Sequence, residues 1–139
     1  MLKIELRDWR AAQAEAKRIR FTVFVEEQRV PPELEMDEHD AQSVHALAYA
    51  EGKVVGTGRL LPDGHIGRMA VLKDWRGRGA GRALLRALID AARRRGDREV
   101  ALNSQVQALG FYGAEGFQPE GAVYEEAGIP HQAMRLKLG

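Results

Sequence analysis

Residues 76–81 read Arg76-Gly77-Arg78-Gly79-Ala80-Gly81, and the rest of the chain is interpreted outward from them. An apolar run, His65 to Leu72, leads in, and an apolar-periodic stretch, Arg82 to Arg95, leads out. Strand, glycine-rich turn and helix together make an anion cradle. Glycines let the backbone turn tightly enough to aim several N–H groups at one point. The helix start adds its unpaired N–H groups and the positive end of its dipole. Arg76, Arg78 and Arg82 add positive charge suited to phosphate oxygens. Two phosphate-loop patterns fail here. A Walker loop ends in Gly-Lys-Ser or Gly-Lys-Thr, whereas Gly81 precedes Arg82 and Ala83. A G-x-G-x-x-G fingerprint counted from Gly77 or Gly79 puts Arg82 or Leu84 at its third glycine. The pattern that remains is R-x-x-G-x-G, filled by Arg76, Gly79 and Gly81.

Outside this turn, composition narrows the function classes. With 139 residues, the length of one domain, 45% are hydrophobic and 29% charged, ordinary globular values. A formal net charge of +1 gives no general pull toward nucleic acid or an anionic membrane. There is no cysteine, hence no disulfide, no thiolate metal site and no cysteinyl intermediate. The charged stretch Met1 to Arg10 lacks the apolar core of a secretory signal, and no run reaches membrane-span length. A cytoplasmic protein is the expectation.

Taken in order, Leu2, Ile4 and Leu6 alternate with charged residues as a half-buried strand. Asp8 is placed to cap a helix over roughly Ala11 to Val25, which must stop before Pro31-Pro32. Residues 33–40 are acid-rich, either a solvated loop or a rim attracting a cationic acceptor. Three antiparallel strands come next, Val44 to Ala50, Lys53 to Leu61 and His65 to Leu72. Leu84, Leu85, Leu88, Ile89, Ala91 and Ala92 then mark a helix that ends at Gly96. Arg93, Arg94 and Arg95 suit the negative end of its dipole, and no aromatic platform accompanies them for binding nucleic acid. Glu99 to Leu102 reads as a strand, Gln105 to Glu115 as a helix, Phe117 onward as a connection, and Ala133 to Leu138 as the last strand.

Several of these pieces coincide in one family. The R-x-x-G-x-G turn after its strand resembles the pyrophosphate-binding signature of the GNAT superfamily of N-acetyltransferases. Gln105, Ala108, Phe111, Tyr112, Gly116 and Phe117 are similar to that superfamily's Asn/Gln-x-x-Ala-x-x-Phe-Tyr-x-x-x-Gly-Phe segment. Val23-Phe24-Val25-Glu26-Glu27-Gln28, then Asp37 and Asp40, then Glu126-Ala127-Gly128-Ile129-Pro130-His131, resemble the bacterial ElaA/YjcF-like branch. The resemblance spans nearly the whole chain. It implies an α/β fold with a twisted mixed central sheet, helices on both faces, and fourth and fifth strands splayed apart. It also implies acetyl-CoA as co-substrate and no metal. On this chain the pantetheine would pair with Met69, Ala70 and Val71, and the pyrophosphate would meet Arg76, Gly77, Arg78, Gly79, Ala80, Gly81 and Arg82. Gln105 would stand at the position where many members have Asn beside the coenzyme.

The chemistry implied is direct transfer of the acetyl group to a primary amine of a small molecule or a protein. A backbone N–H near Ala70 or Val71 is suited to the thioester oxygen. Tyr112 is the candidate acid for the leaving thiolate. Glu26, Glu27, Asp37, His45 and His131 are the candidates for holding the acceptor or taking its proton. Homodimers are frequent in the superfamily, which leaves a homodimer as an expectation here. A non-catalytic acyl-CoA sensor and an acyl-homoserine-lactone-synthase-like enzyme are the competing readings.

Overall fold

The computed structural model describes residues 1–139. Strand β1 (Leu2–Arg7) leads through the Asp8 cap, whose carboxylate accepts from the Ala11 N–H at 2.9 Å, into α1 (Trp9–Arg20). Ala12, Ala16 and Ile19 line its buried stripe, which Val23 continues beyond the helix end. The helix does not stop where α1 ends. It widens into a π-helical segment, Phe21–Glu27, with the Thr22 hydroxyl bonded back to the Arg18 carbonyl. That back-bond competes with the helix's own ladder and loosens it. After Pro31, α2 (Pro32–Glu35) starts with proline in its first turn, where the missing N–H costs nothing.

The antiparallel strands β2 (Val44–Ala50), β3 (Lys53–Leu60) and β4 (Ile66–Val71) join β1 in a sheet ordered β1-β2-β3-β4. Helix α3 (Ala80–Arg95) covers one face through Leu84, Leu85, Leu88, Ile89 and Ala92, and α1 covers the other. Close approach beneath α3 depends on Gly58: a Cβ there would stand 2.5 Å from Met69 Sδ and 3.0 Å from Leu88 Cδ1. Gly96, at φ 95°, closes α3 by donating its N–H to the Ala92 and Arg93 carbonyls.

The second sheet, ordered β5-β7-β6, holds β5 (Glu99–Gln105), β6 (Gln118–Glu126) and β7 (Ile129–Lys137). Two expectations change here. Gln105 ends a strand, and the only α-helix in the segment after it is α4 (Leu109–Gly113), entered through a 3-10 turn at Val106–Ala108. The segment after Phe117, read as a connection, is the nine-residue strand β6. All nine of its residues are exposed, so it has no buried face to impose an alternating pattern, and pairing with β7 alone makes it a strand.

Candidate active site

The two sheets meet at one point. A single parallel bridge joins His65 to Ala101, with the Ala101 N–H donating to the Gly64 carbonyl at 3.1 Å. Beyond it β4 and β5 diverge, leaving the edge of β4 without a partner strand on that side. Arg68, at φ 49°, takes a left-handed conformation inside β4, where the register with β3 shifts between Thr57 and Arg59. Such a bulge twists its strand locally and re-aims the residues beyond it. Met69, Ala70 and Val71 lie just past it, along the open edge.

The Gly-Arg turn closes one end of this cleft. Gly77 and Gly79 both have positive φ, 77° and 90°, and open space where a Cβ would project. The N–H groups of Gly77 through Arg82 donate to no backbone acceptor, and the first to do so is that of Ala83, to the Gly79 carbonyl at 3.0 Å. The three arginines are already engaged. Arg76 donates to the Val71 carbonyl at 2.9 Å and grips Glu27 with both terminal nitrogens, at 2.9 and 2.7 Å. Arg78 lies over the Trp75 ring at 4.9 Å, and Arg82 stands 3.5 Å from Glu115. Gly81 is helical rather than left-handed, and its Cβ position lies 3.4 Å from the Phe111 ring. This contact brings α4 against the first turn of α3.

Tyr112 sits next to Phe111 on α4, edge-on to the Phe111 and Phe117 rings at 5.0 and 6.1 Å. Burial pushes its hydroxyl up to about 12, so it stays protonated at neutral pH. At the far end of β5, Gln105 exchanges hydrogen bonds with Gln28, its amide nitrogen reaching Gln28 Oε1 at 2.8 Å. That pair ties the end of the π-helical segment to the second sheet.

The candidate acceptor residues scatter. Glu26 is exposed, and Glu27 is held by Arg76. Asp37 accepts from both terminal nitrogens of Arg59 at 2.7 Å and from Arg68 at 3.1 Å. Burial alone would raise its carboxyl, but the hydrogen bond and charge of Arg59, joined by Arg68, hold it well below the usual carboxylate range. His45 is buried on β2 against the Trp9 ring, with Nε2 donating to the Asp40 carbonyl at 2.9 Å. Burial lowers its imidazole and keeps it neutral. His131 sits on β7 opposite Gln105.

Nor is the acid-rich segment simply a solvated loop. Glu35 and Asp40 are buried against Arg20, and Asp40 also accepts from Arg59 at 2.9 Å. No sequence spacing groups Arg20, Arg59, Arg68, Glu35, Asp37 and Asp40 as one network. Its signals were Arg20 beside the buried stripe of α1 and Arg59 within an apolar strand.

The comparisons with known proteins agree with this geometry. A family model described as "Acetyltransferase (GNAT) domain" matches residues 10–138. The chain belongs to the GNAT acetyltransferase family. YjcF of Bacillus subtilis, an N-acetyltransferase by name, is 40% identical over 84% of this chain and 86% of its own. An acyl-CoA N-acyltransferase from Pseudomonas aeruginosa superposes with a TM-score of 0.87 at 30% identity, over 98% of this chain and 99% of that one. Escherichia coli ElaA superposes with a TM-score of 0.87 at 27% identity, over 99% and 100%. The splayed α/β architecture expected of a GNAT acyltransferase is therefore the one this enzyme has, and its relatives fall in the ElaA/YjcF-like branch. No helix is long and apolar enough to cross a membrane, and no cluster of His, Asp and Glu is arranged to hold a metal ion.

Proposed function

We propose that residues 1–139 form one cytoplasmic acetyltransferase domain that moves the acetyl group of acetyl-CoA directly to a primary amine. The observation carrying this is the run of unpaired N–H groups from Gly77 to Arg82 at the mouth of the β4/β5 cleft. A pyrophosphate there would accept from those groups at the positive end of α3. The pantetheine would run along the open edge of β4 at Met69–Val71, as an added strand does. That places the thioester near Ala70, where a backbone N–H can stabilise the developing oxyanion. With no cysteine, no acyl-enzyme on sulfur can form, and the amine attacks the thioester itself. The Tyr112 hydroxyl is the group for the departing sulfur. An alkyl thiol has a reference pKa of about 8.5. A hydroxyl at about 12 therefore donates a hydrogen bond to the thiolate as the C–S bond breaks, since complete transfer to a free thiolate is uphill.

Calorimetry with acetyl-CoA and release of free thiol across an amine panel test this reading. A micromolar dissociation constant, about −8 kcal/mol, and amine-dependent thiol release are expected. Binding without release under any amine would make the protein an acyl-CoA sensor. No binding would overturn the proposal.

Two variants probe the turn. Gly79→Val forces a β-branched residue into the left-handed region, at roughly 1–2 kcal/mol, so acetyl-CoA should bind roughly 5- to 30-fold more weakly. Wild-type affinity in the folded variant would move the phosphate elsewhere. Glu27→Gln should weaken acetyl-CoA as well, by up to about fivefold, the worth of a partly exposed pair, because Glu27 steadies Arg76. A change confined to the Michaelis constant for the amine would instead show Glu27 facing the acceptor.

A further inference from the structure

The second sheet presents one face to the core and one away from it. Leu102 and Val100 of β5 lie in the core with their β7 partners Met134 and Leu136 packed against it. Directly opposed residues of an antiparallel pair share a face. Gln105 of β5, His131 of β7 and Tyr124 of β6 form one such row, on the face turned away from α3. Gln105 bonds to Gln28, beside the Glu27 that holds Arg76, and Arg76 bonds to the Val71 carbonyl of β4. His131 thus stands directly opposite Gln105, the residue whose side chain is bonded through Gln28 to the segment that holds Arg76 against the end of β4.

Its ring is fixed in an informative way. Nδ1 lies 2.6 Å from the Ile129 carbonyl oxygen. A carbonyl only accepts, so the neutral ring carries its hydrogen on Nδ1 and leaves a lone pair on Nε2. Tyr124 stacks on the ring at 6.0 Å and 26°, holding its plane. Nε2 makes no hydrogen bond within the protein. Arg59 Nε is the one side-chain polar atom that is both buried and unpaired, so His131 Nε2, though the residue is only 8% exposed, opens to solvent. Among the other candidate bases, His45 gives its Nε2 hydrogen to Asp40, Glu27 and Asp37 are held by arginines, and Glu26 is exposed with no side-chain partner to fix its position.

From this row we infer that His131 Nε2 is the general base that deprotonates the acceptor amine; the inference rests on the acetyl-transfer reading above. The acceptor ammonium gives one proton to Nε2 and becomes a neutral amine. Its nitrogen lone pair forms the C–N bond at the thioester carbon, and the tetrahedral intermediate collapses with cleavage of the C–S bond. The electron pair leaves on sulfur. The second nitrogen proton balances the thiolate as free thiol, with the Tyr112 hydroxyl bonded to sulfur meanwhile, and the proton on His131 returns to solvent.

Two small nucleophiles separate this role from packing. Methylamine arrives as an ammonium at neutral pH, whereas hydroxylamine, of the same size, arrives as a free base. In His131→Gln, methylamine-dependent thiol release should fall by about 10²-fold or more, the worth of a general base. Hydroxylamine-dependent release should stay near wild type, and calorimetric affinity for acetyl-CoA should be unchanged. Imidazole added to His131→Ala should restore part of the methylamine rate. Nitrogen-15 spectra of the wild-type protein should show His131 with its hydrogen on Nδ1. Equal losses for both nucleophiles, no loss for either, or a hydrogen on Nε2 in the neutral ring would each overturn the assignment. Wild-type protein that binds acetyl-CoA yet uses neither nucleophile would overturn acetyl transfer, and this role with it. Loss confined to methylamine in a variant with intact acetyl-CoA binding supports both.

Discussion

Asp40→Ala should lower the free energy of unfolding by about 3–5 kcal/mol, the cost of breaking a buried ion pair from one side. Asp40 is 3% exposed and accepts from Arg20, which is 1% exposed, and from Arg59, which is 4% exposed. The network balances the guanidiniums of Arg20, Arg59 and Arg68 against the carboxylates of Glu35, Asp37 and Asp40. Removing Asp40 leaves two buried arginines short of a partner, and Arg59 Nε already has none. Urea denaturation at pH 7 measures the loss. Falling pH supplies a second signature. Burial opposes the ionised form of Asp40, but its bonds to Arg20 and Arg59 outweigh that and lower its carboxyl below the usual value. Asp37 is lowered in the same way, chiefly through Arg59. Below a pH of about 4 the unfolded chain takes up protons on these groups before the folded one does, so their stabilisation drains away as pH falls. The gap between wild type and Asp40→Ala should therefore narrow below that pH. A loss at pH 7 under about 1 kcal/mol, the range of exposed pairs, would mean that the network contributes no more than a surface pair. The network also braces the cleft, because Arg68 occupies the left-handed position immediately before Met69.

Tyr112→Phe should lower kcat by roughly 10- to 150-fold and leave acetyl-CoA affinity almost unchanged. A hydrogen bond to a charged group is worth about 1.5–3 kcal/mol, and each 1.36 kcal/mol is a factor of about ten. The ring stays, and with it the edge-on contacts to Phe111 and Phe117 that seat α4. The affected state is the one with negative charge on sulfur, so the loss belongs in turnover rather than binding. It should shrink for a thioester whose thiol has a lower pKa, because that leaving group needs less help. The comparison is the ratio of wild-type to variant turnover for acetyl-CoA and for such an activated thioester, under conditions where chemistry limits. A ratio near one for acetyl-CoA would leave Tyr112 a packing residue. Equal ratios for both would make it a positioning residue. A loss well above about 10³-fold would show complete proton transfer, the upper range of general acid catalysis, and a hydroxyl made more acidic once the coenzyme is bound.

The chain determined by itself those features that depend on near neighbours. Asp8 bonds the Ala11 N–H three residues on, and Gly96 caps the helix whose stripe runs from Leu84 to Ala92. Gly77 and Gly79 mark a turn built on left-handed residues, and its sequence, together with the Gln105 to Phe117 segment, resembles the family whose model matches residues 10–138. The Gln105 to Phe117 segment likewise carried its family spacing, although its first residue completes a strand instead of starting a helix. The tertiary structure decided the rest, because the determining partners are distant in sequence. Strand β6 has no buried face to betray it, and its existence depends on β7 and the turn at Ala127 and Gly128, both at positive φ. Arg76 looked like a phosphate ligand, yet it also clamps Glu27, 49 residues away, to the end of β4. In sequence, Asp37 and Asp40 belong to an acidic run that reads as a solvated loop or as an acceptor rim, with Asp37 a candidate acceptor residue; in the fold Arg59 from β3 and, for Asp40, Arg20 from α1 pair with them instead. An exposed carboxylate and a buried, paired one have the same letter, and only folding brings the opposite charge within hydrogen-bond distance and removes the water between them.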